Sequence, residues 1–149
     1  MGNIKGEKEI EIEAPPQRCF DALVDFETYP EWQQAVKRVE VRERDDQGRP
    51  TRVIQVSDAI VKEVKYDLLY TYDEPNRITW KYLDGDVKDI DGEWKITEAG
   101  EGRSHVRYRL EVDPGRTLGF MLRGPVKDKV RDHVLGGTVE ELKQRVEGS

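Results

Sequence analysis

Between residues 64 and 112, apolar side chains recur at every second position through four consecutive segments, 64–72, 78–82, 90–96 and 106–112. A period of two sends alternate side chains to opposite faces of a pleated strand, so each segment is a strand with one buried and one wet face. The interruptions, DEPN, LDGD and EAGEGR, carry turn chemistry. Parallel neighbours would need a crossover of a dozen or more residues, so these strands must form an antiparallel meander.

The flanking segments extend this pattern. Residues 8–14 alternate Ile10, Ile12 and Ala14 against Glu9, Glu11 and Glu13. Pro15 and Pro16 end that strand, and proline is tolerated at a helix start because its missing N–H would have had no partner there. A short helix is therefore predicted over 16–24, with Cys19, Phe20 and Leu23 as its buried stripe. A second helical piece covers 26–35, restarting at Pro30. Val39 and Val41 begin the next strand, DDQGRP turns it back, and 51–57 is its partner. The two faces of that partner, Val53 and Gln55 against Ile54 and Val56, are so evenly matched that its phase stays open. DAIVK follows as a bend. Beyond DPGR the spacing turns helical, and Leu118, Leu122, Val126, Val130, Val134, Val139, Leu142 and Val146 predict one long C-terminal helix, with Gly124-Pro125 as a possible starting break. Gly136 and Gly137 inside it cost about 1 kcal/mol each relative to alanine. A kink following the sheet would explain them, and so would close approach of a ligand or of the facing strands.

A sheet with one apolar face and one amphipathic helix must bury each against the other. The expected fold is α+β, a curved antiparallel sheet of about seven strands wrapped around the long C-terminal helix, with two short helices after the first strand plugging one end. Residues 1–149 read as a single domain. Charged residues (38%) outnumber hydrophobic ones (36%), so the core depends on where apolar residues fall, not on their abundance. The net charge of −6, from 25 basic and 31 acidic residues, argues against nucleic acid as a partner. The basic run Arg123, Lys127, Lys129 and Arg131 is interrupted by Asp128 and Asp132 and reads as a solvated helix face. A lone cysteine, Cys19, allows no internal disulfide and fits a reducing compartment. With no secretory apolar region and no run near the ~18 apolar residues of a span, a cytoplasmic protein without an integral membrane segment is expected. The sequence specifies no oligomeric state.

The inward face is unusual in its aromatics. Five of the six tyrosines, Tyr66, Tyr70, Tyr72, Tyr82 and Tyr108, share it with Trp80 and Trp94, while no phenylalanine does. A buried tyrosine hydroxyl without a partner costs about 1–3 kcal/mol, so a dry core would be built more simply from Phe or Leu. Two arrangements meet this cost. The face lines a cavity where hydroxyls meet water or a ligand, or it is a core whose tyrosines reach the rim. For Tyr72 and Tyr108 a packing role alone suffices. No Cys/His set suits a metal, GEGRSH is a hairpin turn and not a phosphate cradle, and His105 and His133 fall off the buried faces. Asp58, Asp84 and Asp86 read as turn residues, so no catalytic residue, metal or cofactor is assigned.

DFETYPEW, YDEPNRITWKYLDGD, DGEWKIT, SHVRYRLEVD and TVEELKQRVEG together resemble the SRPBCC superfamily, specifically its polyketide cyclase/dehydrase-like or coenzyme Q-binding-like branch. The resemblance spans nearly the whole chain. It implies the helix-grip fold of START lipid-transfer and pollen-allergen proteins, with a deep hydrophobic cavity between sheet and long helix. The wall would then comprise Tyr66, Leu68, Tyr70, Trp80, Tyr82, Trp94 and Tyr108, faced by Val130 and Val134. Tyr29 and Trp32 would cap one side of the mouth, as gate or plug, and Phe120 and Met121 the opposite lip. The implied function is binding or carriage of a hydrophobic small molecule: a lipid, fatty acid, isoprenoid or aromatic polyketide. An aromatase/cyclase using Tyr66, Tyr70 and Tyr82 as proton donors is the alternative, and a protein-interaction module the third reading.

Overall fold

The structure is a computed structural model that describes residues 3–135 and 137–148. β1 (Ile4–Ile12) leads through α1 (Pro16–Val24), a 3-10 turn (Phe26–Thr28) and α2 (Tyr29–Trp32) to β2 (Val36–Arg44). Then come β3 (Pro50–Asp58), β4 (Glu63–Asp73), β5 (Arg77–Gly85), β6 (Asp89–Gly100) and β7 (Arg103–Asp113). Three helical segments follow, α3 (Gly115–Met121), α4 (Pro125–Leu135) and α5 (Thr138–Glu147). The seven strands form one antiparallel sheet in the order β1-β7-β6-β5-β4-β3-β2. The meander expected of 64–112 is its centre, and β1 closes on β7 with Ile4 opposite Val112.

Each alternating strand keeps the phase its apolar residues set. Leu68, Tyr70, Ile78, Trp80, Ile90, Trp94, Ile96, Val106, Tyr108 and Leu110 are all buried on the inner face. β3, whose phase was open, turns Val53, Gln55 and Ser57 inward, beside Leu68, Tyr66 and Val64 of β4. Two of the three are polar and still buried. Hydrophobicity alone therefore cannot choose the inward face of this strand.

Helix boundaries depart from the periodic pattern at three points. α2 stops at Trp32, because Gln33 is already extended, and residues 33–35 run into β2 without helix. The long C-terminal helix is built in segments: α3 ends at Met121, and Gly124 holds φ +58, a conformation that costs a residue with a Cβ about 1 kcal/mol or more. α4 and α5 then meet at the glycine pair. Gly136 lies outside the described residues, while Gly137 caps the N-terminus of α5. The described part of α4 ends at Leu135 and α5 begins at Thr138.

These segments divide the interior in two. α5 packs on α1, β1 and β7, and at that end Ile12, Phe20, Leu23, Ile96, Val106, Val139 and Leu142 are at most 1% exposed. That end is dry and closed. α3 and α4 cover the other end of the inner face, and there the packing is incomplete.

Candidate ligand cavity

The tyrosines of the inner face impose the first requirement on this hollow end, because each hydroxyl needs a partner. Gln55 Nε2 donates to Tyr70 Oη at 2.7 Å, and Ser57 shares a short hydrogen bond with Tyr66. The polar inward residues of β3 are thus the partners of the β4 tyrosines across the strand pair. Tyr29 donates to the Leu23 carbonyl at 2.5 Å, Tyr72 to the Pro50 carbonyl, and Tyr82 to the Val87 carbonyl at 2.5 Å.

Around them lies a cavity of about 130 Å³. Its sheet side is formed by Gln55, Ser57, Tyr66, Leu68, Tyr70, Trp80, Ile90, Trp94, Tyr108 and Leu110. Leu118 of α3, Leu122 just after it, and Val130 and Val134 of α4 face it, with Thr138 and Glu141 at the start of α5. Tyr29, Gln33 and Ala59 line it from α2, its following residues and the β3–β4 bend. The dry-end residues of α5, Val139, Leu142 and Val146, take no part in the lining.

Aromatic rings form a continuous series along this wall. Phe26 stacks on Tyr29 at 4.8 Å and meets Tyr70 edge-on at 4.6 Å. Tyr70 contacts Trp80 at 5.6 Å, and Tyr108 sits between Trp80 at 5.9 Å and Trp94 at 4.5 Å. The Trp80 indole occupies the space over Gly92, where an added Cβ would fall 2.2 Å from Cζ2. Glycine at that inward position is what lets the indole lie flat on the sheet.

Of the thirteen residues singled out from sequence, nine line this cavity: Tyr29, Tyr66, Leu68, Tyr70, Trp80, Trp94, Tyr108, Val130 and Val134. Four lie outside the lining. Trp32 packs edge-on against Tyr29 and donates Nε1 to Thr28 at 3.2 Å, so it backs the cap without touching the space. Tyr82 lies near the end of β5, beside a polar groove with Asp89 and Asp91. Phe120 and Met121 point away from the lip, 68% and 44% exposed, because Leu118 of α3 and Leu122 just after it take the inward positions. Arg123 lies over the Phe120 ring at 4.2 Å.

Sequence reasoning missed Gln55, Ser57 and Glu141. The signal for the first two was the very ambiguity of β3. Glu141 lines the cavity and accepts the Gln34 N–H at 3.0 Å; burial pushes its carboxyl up, opposed by that hydrogen bond and by His133. His133 Nε2 is buried and 3.4 Å from Asp58 Oδ2, without the alignment of a hydrogen bond. Both groups stand at the glycine junction, where the helical stripe alone would have put solvent. His105, by contrast, is on the outer face against Glu9 at 2.6 Å. Among the described residues no metal-holding cluster occurs, and no helix is long and apolar enough to cross a membrane.

A family model described as polyketide cyclase/dehydrase and lipid transport matches residues 3–147. No curated protein matches the chain significantly. Among solved structures, a START superfamily protein from Mycobacterium smegmatis is similar over 97% of both chains at 21% identity, with TM-score 0.82. A Thermus thermophilus protein is similar at 24% identity over 97% of both chains, with TM-score 0.81. The Zhui aromatase/cyclase from a Streptomyces species is similar at 15% identity over 97% of this chain and 96% of its own, with TM-score 0.75. At these identities the likeness is one of fold.

Proposed function

Because this chain belongs to the polyketide cyclase/dehydrase and lipid transport family, we propose that it binds a hydrophobic small molecule in the space between its sheet and helices α3 and α4, as a carrier or sequestering protein. The observation that carries this reading is the division of the interior. One end is packed to 1% exposure or less, while the other keeps about 130 Å³ open behind an aromatic wall. Empty apolar space costs stability in proportion to its volume, about 24 cal/mol per Å³ in engineered cavities, so a chain with no use for it would gain by filling it.

The volume also bears on the kind of guest. Pockets for drug-sized molecules run from ~300 to ~1,000 Å³. A long acyl chain or isoprenoid would need α3 and α4 to move outward, whereas a compact ring enters as the side chains stand. An aromatase/cyclase activity is the alternative. For it the Tyr66 and Tyr70 hydroxyls are already engaged and Tyr82 is outside the lining, so Glu141, a carboxyl raised by burial, is the group such chemistry would use.

Native mass spectrometry of protein purified from its own host tests the binding reading. A retained small organic molecule is expected, together with quenching of Trp80 and Trp94 emission on adding apolar compounds. Protein that is always empty, with emission indifferent to every such compound, would overturn it.

A further inference from the structure

The tyrosines of the cavity wall are not equivalent. Tyr29, Tyr66 and Tyr70 each have a protein partner for the hydroxyl. Tyr108 is only 8% exposed, lines the cavity, and among the described residues its hydroxyl meets no hydrogen-bond partner. The indole N–H groups of Trp80 and Trp94, whose rings flank Tyr108, have none either. None of the three is among the fully occluded polar atoms without partners, so each keeps open space beside it. Polar atoms this deep in an apolar wall normally find partners, and each of these three has a hydrogen still to donate.

We propose that Tyr108, between Trp80 and Trp94, is the polar anchor of the cavity and donates a hydrogen bond to the accepting oxygen of a compact aromatic ligand. This rests on the reading of the cavity as a binding site. The Tyr108 O–H and the two flanking indole N–H groups each have a hydrogen to donate, which suits an accepting oxygen such as a carbonyl. Burial, with the neighbouring Tyr66 hydroxyl adding to it, pushes the Tyr108 hydroxyl far up, so it stays a neutral donor at any physiological pH. The rings of Tyr29, Tyr70 and Trp80 supply flat apolar contact. The open volume of about 130 Å³ is near the ~150 Å³ of an engineered apolar cavity that takes up benzene, so a one-ring guest matches it.

Acetophenone and cumene have nearly the same shape and differ in the carbonyl oxygen, so calorimetric titration of both into wild-type protein and Tyr108→Phe isolates the anchor. The substitution is expected to weaken acetophenone binding ~3–10-fold, the worth of one neutral hydrogen bond, and to leave cumene unchanged. Tyr108→Phe should melt no lower than wild type, because the hydroxyl removed bonds to no protein group. Equal effects on both probes, or none, would overturn the anchor while leaving the cavity a binding site. Failure of both probes to bind wild-type protein would overturn the binding reading itself, and the anchor with it. If Tyr108→Phe melts well below wild type, its hydroxyl has a protein partner and the assignment is wrong.

Discussion

At the scale of single residues, the wall is decided by which polar atoms are satisfied. Tyr70→Phe strips the partner from Gln55 Nε2, which is 4% exposed, and an orphaned buried amide costs about 1–3 kcal/mol. Chemical denaturation should show that loss for Tyr70→Phe and none for Tyr108→Phe, although both remove one hydroxyl from the same face. Gly92→Ala drives a Cβ into the Trp80 indole at 2.2 Å. Overpacking of this kind typically costs about 1–3 kcal/mol, and Trp80 emission should shift as the ring tilts off the sheet. The tyrosine excess of the inner face was legible in the sequence; the partners were not. Gln55 and Ser57 sit on a strand where a hydrophobicity count ties, and only pairing with β4 shows that polar residues can face inward because hydroxyls await them.

At the scale of elements, α5 fastens the dry end of the fold. Glu147 on its last turn accepts the Glu13 N–H at 2.7 Å and the Lys143 ammonium at 2.6 Å, and Lys143 also donates to the Glu11 carbonyl at 3.0 Å. The Glu13 N–H first, and Lys143 next, hold the Glu147 carboxyl below its usual range. A lowered carboxyl contributes stability that is present above its unfolded value and lost as pH falls through the folded one. Glu141, raised by burial on the same helix, has the opposite sign: its contribution is present at low pH and lost as pH rises. Thermal melts from pH 3 to 7 should therefore diverge, Glu147→Gln flattening the loss toward acid and Glu141→Gln steepening the net gain from acid toward neutral pH. The strands of this region were readable from alternation, and α1 from its paired prolines. The helical stripe ran through 118–146 without a gap because α3, α4 and α5 each keep apolar residues inward, so the period could not reveal that the axis restarts at Gly124 and again at Gly137.

At the scale of the whole molecule, a packed half and a hollow half share one sheet, which separates stability from binding. Val130 is 2% exposed and faces the cavity from α4. Val130→Phe should fill part of the space, keep or raise the melting temperature, and weaken cumene binding by ~10-fold or more, about 1.4 kcal/mol. A variant that loses stability but still binds cumene as before would show that the guest sits elsewhere. Sheet order adds a second property. β1 and β2, neighbours along the chain, stand at opposite edges, and β1 pairs with β7 through Ile4 opposite Val112 and Ile12 opposite Ser104. β1 therefore has no partner until roughly 100 further residues have been made, roughly 5–20 s later at ~5–20 residues per second. Its alternating lysines and glutamates, Lys5, Glu7, Lys8, Glu9 and Glu11, give that orphan segment a charged coat for the wait, and discourage nascent neighbours from zipping onto it first.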